Sequence, residues 1–230
     1  MRARLDYQVR RSGRARHARV VVTPEGTVEV VLPRRMALRH AEPLVAEKGP
    51  WIERTLRRFE DARAAAPVRL EDGGFVPYLG ERLELGVRVD HERRRPRVVR
   101  RDDRLEAMLA EPGVDPLRDV LEGWYRRQAR LEIAPRLDAA ASRAGLRRGP
   151  LSIRGQSTRW ASCSSSCAMS FNWRLLLAPA AVLDYVVEHE VAHLAVPDHS
   201  PRFWALVAKR CPAFREHERW LKRHGPALRL

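Results

Sequence analysis

The pentapeptide His189-Glu190-Val191-Ala192-His193 constrains this chain of 230 residues more than any other feature. Histidines four positions apart lie about one turn apart on one face of an α-helix, so their imidazoles can bind one ion together. Glu190 follows the first histidine and can reach a water molecule on that ion from the side. Two imidazole ligands, a carboxylate base and an open coordination position are typical of a zinc hydrolase. The pattern therefore predicts His189 and His193 as zinc ligands and Glu190 as the general base.

The residues around this motif predict the helix that such a site requires. Apolar side chains recur at helical spacing between residues 180 and 194. Pro179 suits the first position of a helix, where its missing N–H costs nothing, and Pro197 ends the element. Ser200-Pro201 then has the form of a cap and first position of another helix. The sequence thus predicts a tight corner between two helices directly after the motif.

A third zinc ligand is needed, and His199 is the nearest candidate because it lies in that corner. Other zinc hydrolases take a glutamate from a later helix. Glu216 and Glu218 are therefore the alternatives to His199 in this chain.

Beyond the motif, the specific pattern consists of four segments: Arg159-Trp160-Ala161-Ser162-Cys163, Phe171-Asn172-Trp173-Arg174-Leu175, Tyr185-Val186-Val187-Glu188-His189-Glu190 and His199-Ser200-Pro201-Arg202-Phe203-Trp204. Together they resemble the YgjP-like family of predicted zinc metallopeptidases, which is similar to the SprT-like proteases. Weaker similarity upstream extends the resemblance over nearly the whole chain, although Ala161 stands where the family usually has glycine. The resemblance implies a zinc-dependent metallohydrolase in which His189, His193 and His199 bind the metal and Glu190 is the catalyst.

Hydrophobic periodicity predicts an α+β protein with two units. Residues 1–110 form a β-rich N-terminal unit with inserted helices over 36–65, and a hairpin turn is expected at residues 24–27. Residues 111–230 form a helical, zincin-like catalytic unit that carries a β-hairpin made from residues 151–153 and 169–173. Gly49-Pro50 and Pro135 are expected to kink or divide their helices.

Three further expectations concern the surroundings of the metal helix. The segment Cys167–Asn172 is predicted, by fold-level analogy, to be an edge strand that holds an extended peptide. Arg159 either stabilises the negative charge of a tetrahedral intermediate or forms an ion pair with Asp184 or Glu188. Asn172 either orients substrate or is a polar group at the end of the hairpin.

The chain is strongly basic, with a formal net charge of +15. Arginines cluster in residues 2–19 and 93–104, with few aromatic residues between them. One interpretation is non-specific contact with nucleic acid through phosphates. The other is a general arginine bias without a binding role, and this second interpretation is preferred.

Cysteine usage and hydropathy predict the compartment. Three cysteines make no disulfide framework, and Cys163 and Cys167 are better read as packed thiols than as a separate metal site. No apolar run reaches the length of a membrane span, and no secretory signal follows the N-terminus. These features predict a cytoplasmic protein.

The sequence therefore predicts a zinc-dependent hydrolase with Zn²⁺ as cofactor. The predicted activity is that of a peptidase, with peptides or proteins as substrates. The competing interpretation is a basic nucleic-acid-associated protein, either with a structural zinc or as a SprT-like protease acting on DNA-bound proteins. Glu190 separates the two classes, because a structural zinc site requires no carboxylate beside an open metal.

Overall fold

The computed structural model describes residues 5–23, 26–65, 68–92, 95–156 and 158–230. The chain forms two compact units, Met1–Pro67 and Val68–Leu230. The sequence analysis placed this boundary between residues 110 and 111. The division lies earlier because the strands after Val68 share one hydrophobic core with the later helices, in which Leu85, Leu105 and Leu121 are fully buried.

The first unit is a three-stranded sheet with one long helix. Strands β1 (Gln8–Ser12), β2 (Arg19–Val22) and β3 (Val28–Pro33) have the order β1-β3-β2, with β1 parallel and β2 antiparallel to β3. The predicted hairpin is confirmed as β2–β3, although its turn residues 24 and 25 lie outside the described residues. Helix α1 (Ala41–Ala65) follows a short 3₁₀ helix, and its residues Val45 and Ile52 are buried in the core of this unit.

Both prolines that were expected to kink or divide their helices lie inside continuous ones, so neither divides its helix. Pro50 is inside α1, and Pro135 is inside α2 (Val114–Arg143). A proline leaves the carbonyl four residues earlier without its helical partner. Those carbonyls belong to Ala46 and Leu131, which are both exposed, so water can bond them and the helix continues.

The second unit begins with a four-stranded sheet. Its strands are β4 (Phe75–Tyr78), β5 (Glu81–Val89), β6 (Arg97–Arg101) and β7 (Arg104–Leu109). Their order is β4-β5-β7-β6, with β5 and β7 parallel. The β-rich character predicted for the chain up to residue 110 is confirmed here. Leu117, Leu121 and Trp124 of α2 belong to the same core as the buried residues of this sheet.

A third, smaller sheet lies close to the metal helix and corrects a prediction. Strands β8 (Leu151–Arg154) and β10 (Met169–Asn172) are parallel, so the predicted hairpin between them is wrong. The antiparallel partner of β10 is β9 (Ala161–Cys163), which gives the order β8-β10-β9. Residues 155–168 supply the crossover that a parallel pair requires. Gly149 donates to the Cys167 carbonyl at 2.8 Å, and a Cβ at residue 149 would lie 2.7 Å from that oxygen.

Three helices complete the second unit: α3 (Ala180–His193), α4 (Pro201–Arg210) and α5 (Phe214–His224). Helices α3 and α4 begin within one residue of their predicted first positions. Helix α3 is buried over most of its surface and contacts α2, α4, α5 and β9. No helix in the described part of the chain is both long and apolar enough to cross a bilayer. The fold belongs to the α+β class, as predicted.

Candidate metal centre

The three histidines that were predicted as zinc ligands meet at the C-terminal end of α3. His189 and His193 lie one turn apart with ring centroids separated by 5.0 Å. His199, in the corner before α4, brings its Nε2 atom to 3.2 Å from Nε2 of His189. One ligand atom from each histidine lies within 4.8 Å of the others, and no second such group of three or more occurs among the described residues.

This arrangement fits a zinc ion. Two lone pairs that face each other at 3.2 Å repel unless a proton or a cation lies between them. Zinc binds imidazole nitrogens at about 2.0–2.1 Å with tetrahedral angles, which separates two ligand nitrogens by about 3.3 Å. The His189–His199 distance therefore agrees with the edge of a zinc tetrahedron. Three imidazoles without a thiolate are also the donor set of catalytic zinc sites.

The loop after α3 sets the tautomer of His193. Its Nδ1 atom lies 3.1 Å from the carbonyl oxygen of Val196. A carbonyl only accepts, so Nδ1 carries the hydrogen and Nε2 presents a lone pair. The backbone of the corner thus fixes which nitrogen of His193 is free for a metal.

Helix α4 supplies a support that the sequence analysis missed. The buried ring of Phe203 contacts all three histidines, with centroid distances of 4.9 Å to His189, 4.4 Å to His193 and 4.8 Å to His199. Trp204 stacks on His199 at 5.7 Å. Helical spacing alone assigns both aromatic residues to an ordinary apolar core stripe. Phe203 and Trp204 lie four and five residues after His199, one turn into α4. This spacing was the signal in the sequence that could have indicated their contact with the histidines.

Glu190 is a buried carboxyl group with a free oxygen. Only 5% of the residue is exposed, and its Oε2 atom has no hydrogen-bond partner among the described residues. Burial raises the pKa of Glu190 to about 7. Burial, followed by the charges of His193 and His199, lowers the pKa of His189 to about 4. Neutral imidazole is the form that binds metal, so the site favours metal ligation.

The alternative glutamate ligands take no part in this cluster. Glu218 forms an ion pair with Lys222 at 2.7 Å, and Glu216 is exposed on α5. Cys163 lies on β9 near Glu190. Burial, followed by the charge of Glu190, raises the pKa of the Cys163 thiol to about 11. Neither Cys163 nor Cys167 belongs to a metal-binding group of described residues.

Asn172 uses its side chain to hold the loop before β9. It is buried, and its Nδ2 atom donates to the carbonyls of Gln156 at 2.7 Å and Arg159 at 3.2 Å. Its Oδ1 atom accepts from the backbone N–H of Arg174 at 3.1 Å. These contacts support the structural interpretation of Asn172 rather than contact with substrate.

Arg159 has an exposed side chain, while its carbonyl is held by Asn172. The two carboxylates considered as its partners bind other arginines. Asp184 pairs with Arg136 at 3.0 Å, and Glu188 pairs with Arg143 at 2.7 Å. These two ion pairs connect α2 to the metal helix and leave Arg159 without an ion pair among the described residues.

The predicted peptide-binding segment, Cys167–Asn172, is placed differently from the expectation. Strand β10 within it lies between β8 and β9, so both of its edges are paired. A fully paired strand cannot accept another strand. The edge strands are β8, which contacts α2, and β9, which contacts the metal helix α3.

The family comparison agrees with this site. A family model described as YgjP-like, metallopeptidase domain, matches residues 16–224. A solved structure, the metallopeptidase zymogen of Pyrococcus abyssi abylysin, has 25% sequence identity and a TM-score of 0.36 over 39% of this chain and 92% of that chain. No curated protein matches the chain at a significant level.

Proposed function

We propose that this chain, which belongs to the YgjP-like family of metallopeptidases, hydrolyses peptide bonds at a zinc ion bound by His189, His193 and His199. The family makes the chain a metal-dependent peptidase. The observation that carries the assignment of ligands and metal is the 3.2 Å approach of two imidazole nitrogens, with the third histidine in the same cluster.

Glu190 performs the proton transfers in this proposal. A bound zinc ion supplies a Lewis acid and makes the attacking water more acidic. Oε2 of Glu190, which has no hydrogen-bond partner among the described residues, accepts the proton from that water and then donates it to the leaving amine. The position of Glu190 next to the ligand His189 supports this role, because a general base must reach the proton that it takes.

Strand β9 positions the substrate. The N–H of Asn172 donates to the carbonyl of Trp160 at 2.7 Å, so the backbone groups of residue 160 face β10. Along an antiparallel pair, the backbone N–H and C=O groups of alternate residues face the partner strand. The backbone groups of Ser162 therefore also face β10, and the backbone groups of Ala161 and Cys163 face the outer edge. An extended peptide can add to that edge as a further strand beside α3.

Chelation tests the proposal. The purified protein should contain about one zinc per chain and cleave members of a mixed peptide library. Removal of the metal should abolish cleavage, and one equivalent of zinc should restore it. Cleavage that persists in the metal-free protein, with folding verified by circular dichroism, would contradict the proposal.

A further inference from the structure

A pocket of about 580 Å³ lies between α4 and α5, next to the metal centre. It is lined by Trp204, Phe214, Arg215, Glu218 and Arg219. Trp204 and Phe214 stack on each other with ring centroids 5.5 Å apart and an angle of 22° between the rings. The pocket therefore has an aromatic wall and a charged wall.

One aromatic side chain is shared by the pocket and the metal centre. Trp204 stacks on His199, with 29° between the rings, so one tryptophan belongs to both. Tyr185 of α3 connects the metal helix to α5, since its ring lies 5.9 Å from that of His189 and 6.2 Å from that of His217. The pocket is therefore a close neighbour of the metal centre.

The charged wall carries an excess of cations. Arg215 and Arg219 lie one turn apart on the exposed side of α5, and no carboxylate among the described residues lies within ion-pair distance of either. Arg219 Nε donates to the Arg215 carbonyl at 3.2 Å, and the Arg215 guanidinium lies 5.7 Å from the Phe214 ring. Glu218 is already paired with Lys222 at 2.7 Å. The two guanidinium groups are therefore free to bind an anion.

We infer that this pocket binds a carboxylate of the substrate through Arg215 and Arg219 and so determines which peptide bond is cleaved. The carboxylate belongs either to an Asp or Glu side chain or to the C-terminus of the peptide. Guanidinium groups bind carboxylates in a bidentate manner. The aromatic wall packs against the methylene groups of the substrate next to its carboxylate. This inference rests on the proposed peptidase function.

The experiment compares peptides of one sequence that carry Glu, Gln or Lys at each position in turn, each with a C-terminal acid or amide. If the pocket binds a side chain, the parent protein should cleave one Glu peptide with kcat/KM about 5-fold above that of the matching Gln peptide. If the pocket binds the C-terminus, kcat/KM should be about 5-fold higher for the peptide acid than for the peptide amide. The preferred member identifies the source of the carboxylate. The preference should decrease with added salt, because exposed charges are screened.

Variants then assign the preference to the pocket. The double variant R215S/R219S should lose it without losing cleavage of the neutral peptide, and R215E/R219E should favour Lys. Arg223 is exposed on the same helix outside the pocket, so R223S is the matched control and should behave as the parent. Equal loss of preference in R223S would show a general charge effect and overturn the inference.

Binding separates failure of the inference from failure of the proposed function. The zinc-loaded E190Q variant, with labelled peptides and fluorescence anisotropy, reports binding without turnover. If the parent cleaves no peptide but E190Q prefers the carboxylate peptide and R215S/R219S/E190Q does not, the pocket stands and the peptidase assignment falls. If neutral and carboxylate peptides bind and are cleaved equally, the inference is overturned and the peptidase assignment stands.

Discussion

At the scale of single residues, neighbouring groups decide what each side chain can do. His193 is fixed in one tautomer by the carbonyl of Val196. Asn172 uses both ends of its amide on the backbone of the loop before β9 and on Arg174. Glu190 is the contrasting case, since it is buried with an oxygen that has no hydrogen-bond partner among the described residues. His193 and Asn172 hold the site through these contacts, and Glu190 remains available for proton transfer.

The first prediction at this scale concerns His199 as the third zinc ligand. His199→Ala should reduce bound zinc well below one per chain, because two histidines alone hold the ion weakly. Glu218→Ala is the control, because its carboxylate is paired with Lys222. Metal analysis after dialysis gives the answer. Full zinc occupancy in His199→Ala, together with loss in Glu218→Ala, would reassign the ligand.

A second prediction separates Asn172 from Arg159. Asn172→Ala removes three hydrogen bonds from a buried position and should lower the free energy of unfolding by about 2–4 kcal/mol. Arg159→Ala removes an exposed side chain and should change it by less than about 0.5 kcal/mol. Urea denaturation of the metal-free proteins measures both. Unchanged stability with reduced turnover in Asn172→Ala would restore the role of Asn172 in substrate orientation.

At the scale of elements, the sequence predicted the helix and the corner that depend on local patterns, but not the strand pairing that depends on distant segments. Helix α3 and the corner at His199 follow from helical spacing and from Pro179, Pro197 and Pro201. Strand β9 was missed because Ala-Ser-Cys carries no alternation of apolar and polar residues over so short a length. The parallel pairing of β8 with β10 was missed because pairing between distant segments leaves no local signal.

The peptide-binding role of β9 gives a prediction for that element. The N–H of Cys163 points to the outer edge, so Cys163→Pro removes a donor to substrate without removing a bond to β10. We expect KM to increase about 5-fold, which corresponds to about one backbone hydrogen bond, with zinc content unchanged. Cys163→Ala retains the N–H and should keep the KM of the parent. Equal KM values in the two variants would exclude β9 as the peptide-binding edge.

At the scale of the whole molecule, the structure gives part of the arginine excess a structural role. In the second arginine-rich segment, Arg100 pairs with Glu81 at 2.7 Å, Arg101 with Glu106 at 3.4 Å and Arg104 with Glu84 at 3.3 Å. The last two pairs join neighbouring strands of the sheet formed by β4 to β7, and the Arg100–Glu81 pair joins β6 to β5 across β7. Arg93 and Arg94 of the same segment lie outside the described residues. Contact with nucleic acid stays a prediction.

Salt dependence tests that prediction. Replacing Arg93, Arg94 and Arg95 with serine should flatten the plot of log affinity for duplex DNA against log salt by about 0.9 for each phosphate that the protein no longer binds. Replacing Arg100 and Arg101 should leave the slope unchanged, because both are already paired with glutamates. Fluorescence anisotropy at low and moderate salt measures the slope. Absence of binding at low salt would contradict nucleic-acid association and leave the arginines outside these ion pairs as compositional bias.

The assignment of Glu190 as the base of a zinc peptidase is tested most directly by measuring zinc content and turnover together in Glu190→Gln. The substitution is nearly isosteric and changes no metal ligand, so the variant should keep about one zinc per chain and the thermal stability of the parent. Turnover of any peptide that the parent cleaves should decrease by at least about 100-fold, as expected for removal of a general base. Turnover equal to that of the parent in a fully zinc-loaded variant would contradict the account.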